Sequence, residues 1–179
     1  MTRRAGTAAI FALLMVVLAI PAGWHVALAQ EATPCLPLTA EEANAWVQGY
    51  YAAWNAHDAA ATAAFMAPDY VHHWGIGADV EGNVAYQTSL EAFLAAFPHF
   101  HATVDRVWVA GDSVVIRWID VGIQEQDFMG VPASQETVTW TGISIFQLAC
   151  GKAVEGWTEA DHFGRIEQQG VIPVATPAA

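Results

Sequence analysis

The spacing of apolar residues changes near residue 100, which predicts helices before that point and strands after it. From residue 43 to residue 54, large apolar side chains recur at intervals of three and four, as in a helix with one buried face. Thr39 and Glu42 precede this stripe with the spacing of a capping box. The first helix is therefore expected to begin just after Thr39.

Two further helices are expected before residue 100. Asp58 can cap an alanine-rich helix, and the short extended segment 70–74 follows that helix. Thr88 and Glu91 form a second capping box, so the third helix is expected to begin there and to end at the next proline.

The chain beyond residue 100 is rich in valine, isoleucine and tryptophan, as β-strands are. Turns that contain glycine separate four predicted strands, which cover residues 101–110, 113–121, 136–148 and 153–161. Helices followed by consecutive long strands form an α+β pattern. We expect a cone-shaped α+β barrel in which three N-terminal helices pack on a curved, mainly antiparallel sheet and enclose a pocket.

The N-terminus has the order of an export signal. Arg3 and Arg4 precede an uncharged apolar run of 13 residues, and an Ala-Leu-Ala cleavage site comes before Gln30. A retained membrane anchor is the alternative, but a spanning helix needs about 20 apolar residues and a proline ends this run. We predict cleavage between Ala29 and Gln30 and a secreted or extracytoplasmic protein.

The chain is expected to form one domain. It divides into a signal at 1–29, a linker at 30–38, the α+β domain at 39–170 and a disordered tail at 171–179. The six basic residues face eighteen acidic ones, and loss of the signal's two arginines leaves a net charge of −14. Such a charge repels phosphate backbones and anionic lipids, so neither nucleic acid nor, after cleavage, a membrane is an expected partner.

Two cysteines, Cys35 and Cys150, remain after the signal. An oxidising compartment favours a disulfide between them, and two free thiols are the alternative.

The last predicted strand carries the most unusual pattern. Glu155, Trp157, Glu159 and Asp161 share one parity and therefore one face of the strand. If this face lines a pocket, desolvation would raise the pKa of a carboxylate, which suits a general base. The alternative is a solvated face, with Val154 and its same-face neighbours Thr158 and Ala160 directed inward.

No cofactor or metal site is expected. His99 and His101 share a parity, but no third ligand with suitable spacing accompanies them, and nucleophile or phosphate-loop motifs are absent from the sequence. The many aromatic residues belong to a core, and in a cone-shaped fold some of them can also line a substrate pocket. The residues expected at such a pocket are Trp74, Trp118, Trp140, Trp157, Glu155 and Phe97.

Several segments, taken in order, resemble the SnoaL-like polyketide cyclase, or ester cyclase, family of the nuclear-transport-factor-like superfamily. They are APDYVHH at 67–73, AGDSVVIRW at 110–118, FMGVP at 128–132, WTGI at 140–143 and the pattern GK..E.W...D at 151–161. The resemblance extends over roughly residues 40–170 and implies the cone-shaped fold of that family. Each motif is weak alone, and their order and spacing make the resemblance fairly specific.

The resemblance also implies roles for individual residues. Asp161 matches the family's catalytic acid/base, and His73 matches its pocket histidine. Gln124 stands where the family has a second histidine, and a glutamine cannot shuttle protons near neutral pH. These three residues are expected to converge on one pocket.

We therefore expect an acid/base enzyme that transfers a proton next to a carbonyl group of a small hydrophobic molecule. The alternative is an exported binding domain for such a molecule, without catalysis. The alternating Thr137, Thr139 and Thr141 leave a flat strand face, and a homodimer through the outer face of the sheet is expected, as is common in the family.

Overall fold

The computed structural model describes Cys35 and residues 38–172. The predicted export signal at 1–29, most of the predicted linker and residues 173–179 of the predicted tail lie outside the described residues. None of the described helices is long and apolar enough to cross a membrane.

Helices pack on an open, six-stranded mixed sheet, which confirms the predicted α+β class. The sheet order is β2-β1-β6-β5-β4-β3, and every neighbouring pair is antiparallel except β1 and β6. In chain order the elements are α1 (Ala40–Asn55), α2 (Ala59–Ala63), β1 (Met66–Trp74), β2 (Val80–Glu81), α3 (Asn83–Ala96), β3 (His101–Ala110), β4 (Ser113–Ile123), β5 (Thr137–Ala149), β6 (Lys152–Ala160) and α4 (His162–Gln168).

Helix α1 begins where the capping box predicts. The Thr39 hydroxyl accepts from the Glu42 backbone N–H at 3.2 Å, and the Thr39 N–H donates to the Glu42 carboxylate at 2.9 Å. The helix buries Trp46, Val47 and Tyr50 against the core. The capping box and the apolar stripe agree here, so the sequence pattern alone was sufficient to predict where α1 begins and which face it buries.

Helix α3 begins five residues earlier than its predicted capping box. Its N-cap is Gly82, whose φ of 87° lies in a region open mainly to glycine, and Asn83 is the first helical residue. Thr88 lies inside the helix, where its hydroxyl donates to the Val84 carbonyl at 3.2 Å. The predicted start at Thr88 is therefore wrong, because the change of backbone direction at Gly82 determines where the helix can begin.

Helix α4 was not predicted. Strand β6 ends at Ala160, and the Asp161 carboxylate caps the new helix by accepting from the Gly164 N–H at 2.8 Å. The Gln168 amide then binds both backbone groups of Thr139, at 2.9 Å and 2.7 Å. Helix α4 thus takes the place of β6 beside the first residues of β5.

A disulfide joins Cys35 to Cys150, with a Cα–Cα distance of 5.1 Å, as predicted. The two cysteines are 115 residues apart. In the chain-entropy model, whose mechanism is disputed, a loop of this size stabilises a fold by about 4–5 kcal/mol. The bridge therefore ties the chain just before α1 to the β5–β6 turn.

Candidate active site

The inner face of the sheet, together with α1, α3 and α4, surrounds a cavity of about 330 Å³. Its walls are mostly aromatic and aliphatic, and the partly exposed Ile76 and Met129 lie among its lining residues. Three residues expected at the pocket, Trp74, Trp118 and Trp140, line this cavity. The cavity has the size and composition of a site for a small, mostly apolar molecule.

Gly142 gives one wall its shape. It lies opposite Trp118 in the β4–β5 ladder, and a Cβ atom at this position would collide with the indole ring. The Trp118 indole N–H donates to the Ser144 hydroxyl at 3.0 Å. The missing side chain therefore lets the large ring lie across β5 and form part of the wall.

Asp120 is the unexpected member of the cavity wall. Strand β4 alternates strictly, and its buried positions are otherwise occupied by Val114, Ile116, Trp118 and Gly122. The same parity directs Asp120 inward. Sequence analysis missed Asp120. The alternation of residues 113–121 could have identified it, because it places a carboxylate at a position that otherwise belongs to the core.

The environment of Asp120 favours its neutral form. The residue is 8% exposed, and its Oδ1 atom is buried without a hydrogen-bond partner among the described residues. Burial raises the pKa of Asp120 to about 8. The carboxyl group is thus poised between acid and base near neutral pH, which suits proton transfer.

Buried phenols share the cavity with Asp120. The hydroxyls of Tyr50 and Tyr86 are 2.6 Å apart and hydrogen-bonded to each other, whereas no hydrogen bond is formed by the Tyr51 hydroxyl within residues 38–172. Burial raises the pKa of Tyr51 well above its usual value, and electrostatic interactions with Tyr50 and Asp120 add to this effect. Tyr51 therefore stays protonated and can donate a hydrogen bond to a bound molecule.

Gln124 is fully buried, and its amide is occupied. Its Nε2 group donates to the carbonyls of Gln126 at 3.0 Å and Val131 at 2.7 Å. Its Oε1 atom accepts from Arg165 Nη1 at 2.9 Å and from Gln169 Nε2 at 2.7 Å. This geometry leaves the amide no group for a substrate, so Gln124 acts by holding Arg165 in place.

Arg165 was not predicted from the sequence. It projects from α4, is 5% exposed and lines the cavity. Its Cζ atom lies 5.5 Å from the centre of the Phe97 ring. Phe97 is completely buried behind it and, contrary to expectation, is not among the cavity-lining residues.

His162, the first residue of α4, also lines the cavity. Its Nδ1 atom is buried and has no partner among the described residues. Burial, followed by the positive charge of Arg165, lowers the pKa of His162. Its imidazole is therefore neutral at neutral pH and offers one donor or one acceptor to a ligand.

Asp161 lies at an exposed position, where its carboxylate caps α4, and it is not among the cavity-lining residues. The strand ends one residue before it, so the parity that grouped it with Trp157 does not extend to it. Thr158 and Ala160 line the cavity, as the solvated-face alternative expected for these two residues. The described geometry thus places Asp120, and not Asp161, in the cavity.

His73, Glu155 and Trp157 form a cluster on the outer face of the sheet. The His73 ring lies 3.0 Å from the Asp79 carboxylate and 2.9 Å from the Glu155 carboxylate, and it stacks on Trp157. The hydrogen bond to Glu155 is the largest cause that raises the pKa of His73. Neither Glu155 nor Trp157 lines the cavity, so the structure does not bring these two residues into the expected pocket.

His72, the neighbour of His73 in β1, points inward. It is 1% exposed, and its Nδ1 atom lies 2.5 Å from the Tyr70 hydroxyl. Burial lowers the pKa of His72 to about 3, so its ring is neutral.

The three residues that were expected to converge on one pocket lie in different places. Gln124 is buried inside, His73 is on the outer face of the sheet, and Asp161 is exposed just after β6.

Within residues 38–172, no three histidine, cysteine or acidic side chains lie close enough together to hold a metal ion. His99 instead faces the Glu125 carboxylate at 3.4 Å.

A family model described as SnoaL-like polyketide cyclase matches residues 44–169 of the chain. No curated protein shows significant similarity to the sequence. The match covers the described domain from α1 to α4.

Solved structures share the fold. The proposed hydroxylase AclR from Streptomyces galilaeus is 25% identical, with a TM-score of 0.68 over 75% of this chain and 100% of its own. The proposed polyketide cyclase IdmH from Streptomyces antibioticus is 27% identical, with a TM-score of 0.61 over 71% of this chain and 97% of its own. An epoxide hydrolase of M. tuberculosis, at 16% identity, has a TM-score of 0.60 over 73% of this chain and 91% of its own. Because the identity to the epoxide hydrolase is only 16%, this similarity shows a shared fold and nothing more.

Asp120→Asn should remove a pH dependence of stability. Asp120 keeps its proton to about pH 8 in the folded state, whereas an unfolded aspartate loses it near pH 4. The folded state alone binds this proton between these values, so stability falls as pH rises from 4 to 8. Relative to the parent, Asp120→Asn should therefore gain several kcal/mol between pH 5 and pH 8, up to about 4 kcal/mol. Urea unfolding of both proteins at the two pH values measures the gain.

The exposed Asp69 provides the control, since Asp69→Asn should show no such gain. A constant difference between the parent and Asp120→Asn across this range would mean that Asp120 titrates normally.

Proposed function

The chain belongs to the SnoaL-like polyketide cyclase family, and we propose that it is an acid/base enzyme that works without a cofactor. It moves a proton next to the carbonyl group of a small, mostly apolar substrate, as a cyclase or isomerase does. The observation that carries this proposal is a single carboxyl group, Asp120, buried in an apolar cavity with its pKa raised to about 8.

Proton transfer at this site follows from the groups present. The ionised Asp120 carboxylate takes a proton from the carbon next to the substrate carbonyl. The electron pair of the broken C–H bond forms a C=C double bond, and the π pair of the C=O bond moves to the oxygen. The enolate needs hydrogen-bond donors, and Tyr51 and His162 line the same cavity. The protonated Asp120 then returns the proton to another carbon of an isomerising substrate.

A probe ketone tests this step before the natural substrate is known. The probe is 1-tetralone in D₂O, and the readout is loss of its α-proton signal by NMR. The protein should accelerate exchange, and the rate should rise with pH through about 8 as Asp120 ionises. Asp120→Asn should lower the catalysed rate by about 10²–10⁴-fold, the usual contribution of a general base.

Asp161→Asn is the matched control, because Asp161 carries the role in the family resemblance but caps α4 at an exposed position. It should retain exchange. If Asp161→Asn loses exchange and Asp120→Asn retains it, the sequence-based assignment is correct and the present one is wrong.

The second candidate is an exported binding domain for a small hydrophobic ligand. The almost wholly apolar cavity wall favours it. Such a domain would bind 1-tetralone without accelerating exchange, and Asp120→Asn would bind it at least as well. The exchange measurement therefore separates the two functions.

We propose further that the protein is exported and cleaved before Gln30. The disulfide between Cys35 and Cys150 supports this proposal, because such bonds persist in oxidising compartments. N-terminal sequencing of protein recovered outside the cytoplasm should begin at Gln30. An intact Met1 on that protein would contradict the cleavage.

We also propose a homodimer through the outer face of the sheet. Trp108, Val115, Ile145 and Trp157 form an apolar row across four adjacent strands, and all but Val115 are more than a third exposed. The row can pack on its own copy. The neighbouring row across the same strands consists of Arg106, Arg117, Ile143 and Glu159. A two-fold axis parallel to the strands would bring the Arg106 end of this row opposite the Glu159 end of the second copy, and these opposite charges favour a second copy of this chain.

Ile145→Glu should convert the dimer into a monomer, because it places a charge at the centre of the apolar row. Light scattering at micromolar concentration measures the mass. Val84→Glu is the control, since Val84 is 75% exposed on α3, away from this face, and this variant should stay dimeric. A monomeric parent would rule out the proposed dimer at this concentration.

A further inference from the structure

Arg165 is a buried cation without an anionic partner in the described part of the chain. It is 5% exposed, and no carboxylate lies within 4 Å of its guanidinium group there. Its recorded acceptors are the neutral amide oxygens of Gln124 at 2.9 Å and Gln169 at 3.5 Å. Burial of an unpaired charge is costly, and buried charges in proteins are normally paired. The described residues therefore leave the positive charge of Arg165 available to an anionic ligand.

The surroundings fix the guanidinium group and leave part of it free. Gln124 is itself held by two backbone carbonyls, and Phe97 lies under the guanidinium group at 5.5 Å. Both recorded hydrogen bonds use Nη1, whereas Nε and Nη2 have no acceptor among the described residues. Arginine presents its donors as a planar fork that matches the two oxygens of a carboxylate. The Nε–Nη2 edge is that fork.

The remaining polar groups of the cavity do not neutralise Arg165. Asp120 lines the same cavity but forms no ion pair within residues 38–172, and burial favours its neutral form. His162 is neutral as well, because burial lowers its pKa. The cavity therefore carries a positive charge inside a protein whose overall charge is −12.

We propose that the substrate carries a carboxylate and that Arg165 is its receptor at the cavity wall. This inference rests on the proposed function, since it names the substrate class of the same cavity. Such a substrate joins an apolar body, held by the aromatic walls, to one anionic group that lies beside Arg165 of α4. Arg165 binds the carboxylate, and Asp120 reacts at the carbon next to the carbonyl.

Two probes of almost equal shape test the proposal. They are 2-naphthylacetate and 2-naphthylacetamide, which differ in charge at one end. Binding to the full-length mature protein at pH 7 is measured by calorimetry and by quenching of the cavity tryptophans. The carboxylate should bind at least tenfold more tightly than the amide. Arg165→Met should remove this preference and leave binding of the amide within about threefold.

Three further variants complete the design. Arg117→Met removes a partly exposed arginine that pairs with Asp105 and does not line the cavity, and it should keep the full preference. Arg165→Lys keeps the positive charge but lacks the planar fork, and it should keep part of the preference for the carboxylate. Gln169→Glu places a carboxylate beside Arg165 within the fold, so it should abolish the preference for the carboxylate probe. This variant provides a second measurement if Arg165→Met does not fold.

Equal affinity of the parent for both probes, or a preference that persists in both Arg165→Met and Gln169→Glu, would overturn the inference. Asp120→Asn should keep the preference, because it removes the base and not the receptor. A carboxylate preference without proton exchange on 1-tetralone would retain this inference and refute the proposed function. Proton exchange on 1-tetralone without a carboxylate preference would support the proposed function and refute this inference.

Discussion

Asp120 occupies a position in β4 where strict alternation otherwise buries Val114, Ile116 and Trp118, so the packing that builds the core also withdraws its carboxyl group from water. This desolvation raises the pKa of Asp120 to about 8 without the help of a neighbouring charge. The raised pKa of Asp120 therefore depends on the integrity of the aromatic wall. A change that admits water would return the carboxyl group toward the pKa of an ordinary aspartate.

A buried amide network organises the other end of the cavity. Gln124 connects the segment after β4 to helix α4 through the Gln126 and Val131 carbonyls on one side and through Arg165 and Gln169 on the other. Every hydrogen-bonding group of its amide is used, so its orientation is fixed. A histidine, which has two ring nitrogens, could not make all four of these contacts. Glutamine at this position is thus suited to positioning an arginine, and the family resemblance alone would not suggest that role.

The two faces of the sheet carry different chemistry because strand parity separates neighbouring residues. His72 faces the core as a neutral ring, whereas His73 faces outward between the Asp79 and Glu155 carboxylates. The raised pKa of His73 means that this outer cluster stabilises the fold while His73 is protonated and loses that contribution as pH rises through the folded pKa. The outer face therefore contributes to stability, and the inner face holds the groups of the candidate site.

Much of the fold was readable from the sequence because its signals are local or periodic. The capping box at Thr39, the helical stripe of α1 and the alternation of β4 each depend on residues close together in the chain, and the order of motifs sufficed to identify the family. Assignment of the site required the tertiary structure. Asp161 does not share the strand parity of Trp157, because β6 ends at Ala160 and the chain turns into α4. Arg165 reaches the cavity only because that helix folds back beside β5. Burial of a carboxyl or guanidinium group is a property of everything packed around it, and residues distant in sequence supply that packing. The sequence by itself thus determined most of the helices and strands and the family, and only the tertiary structure decided which charged groups lie inside.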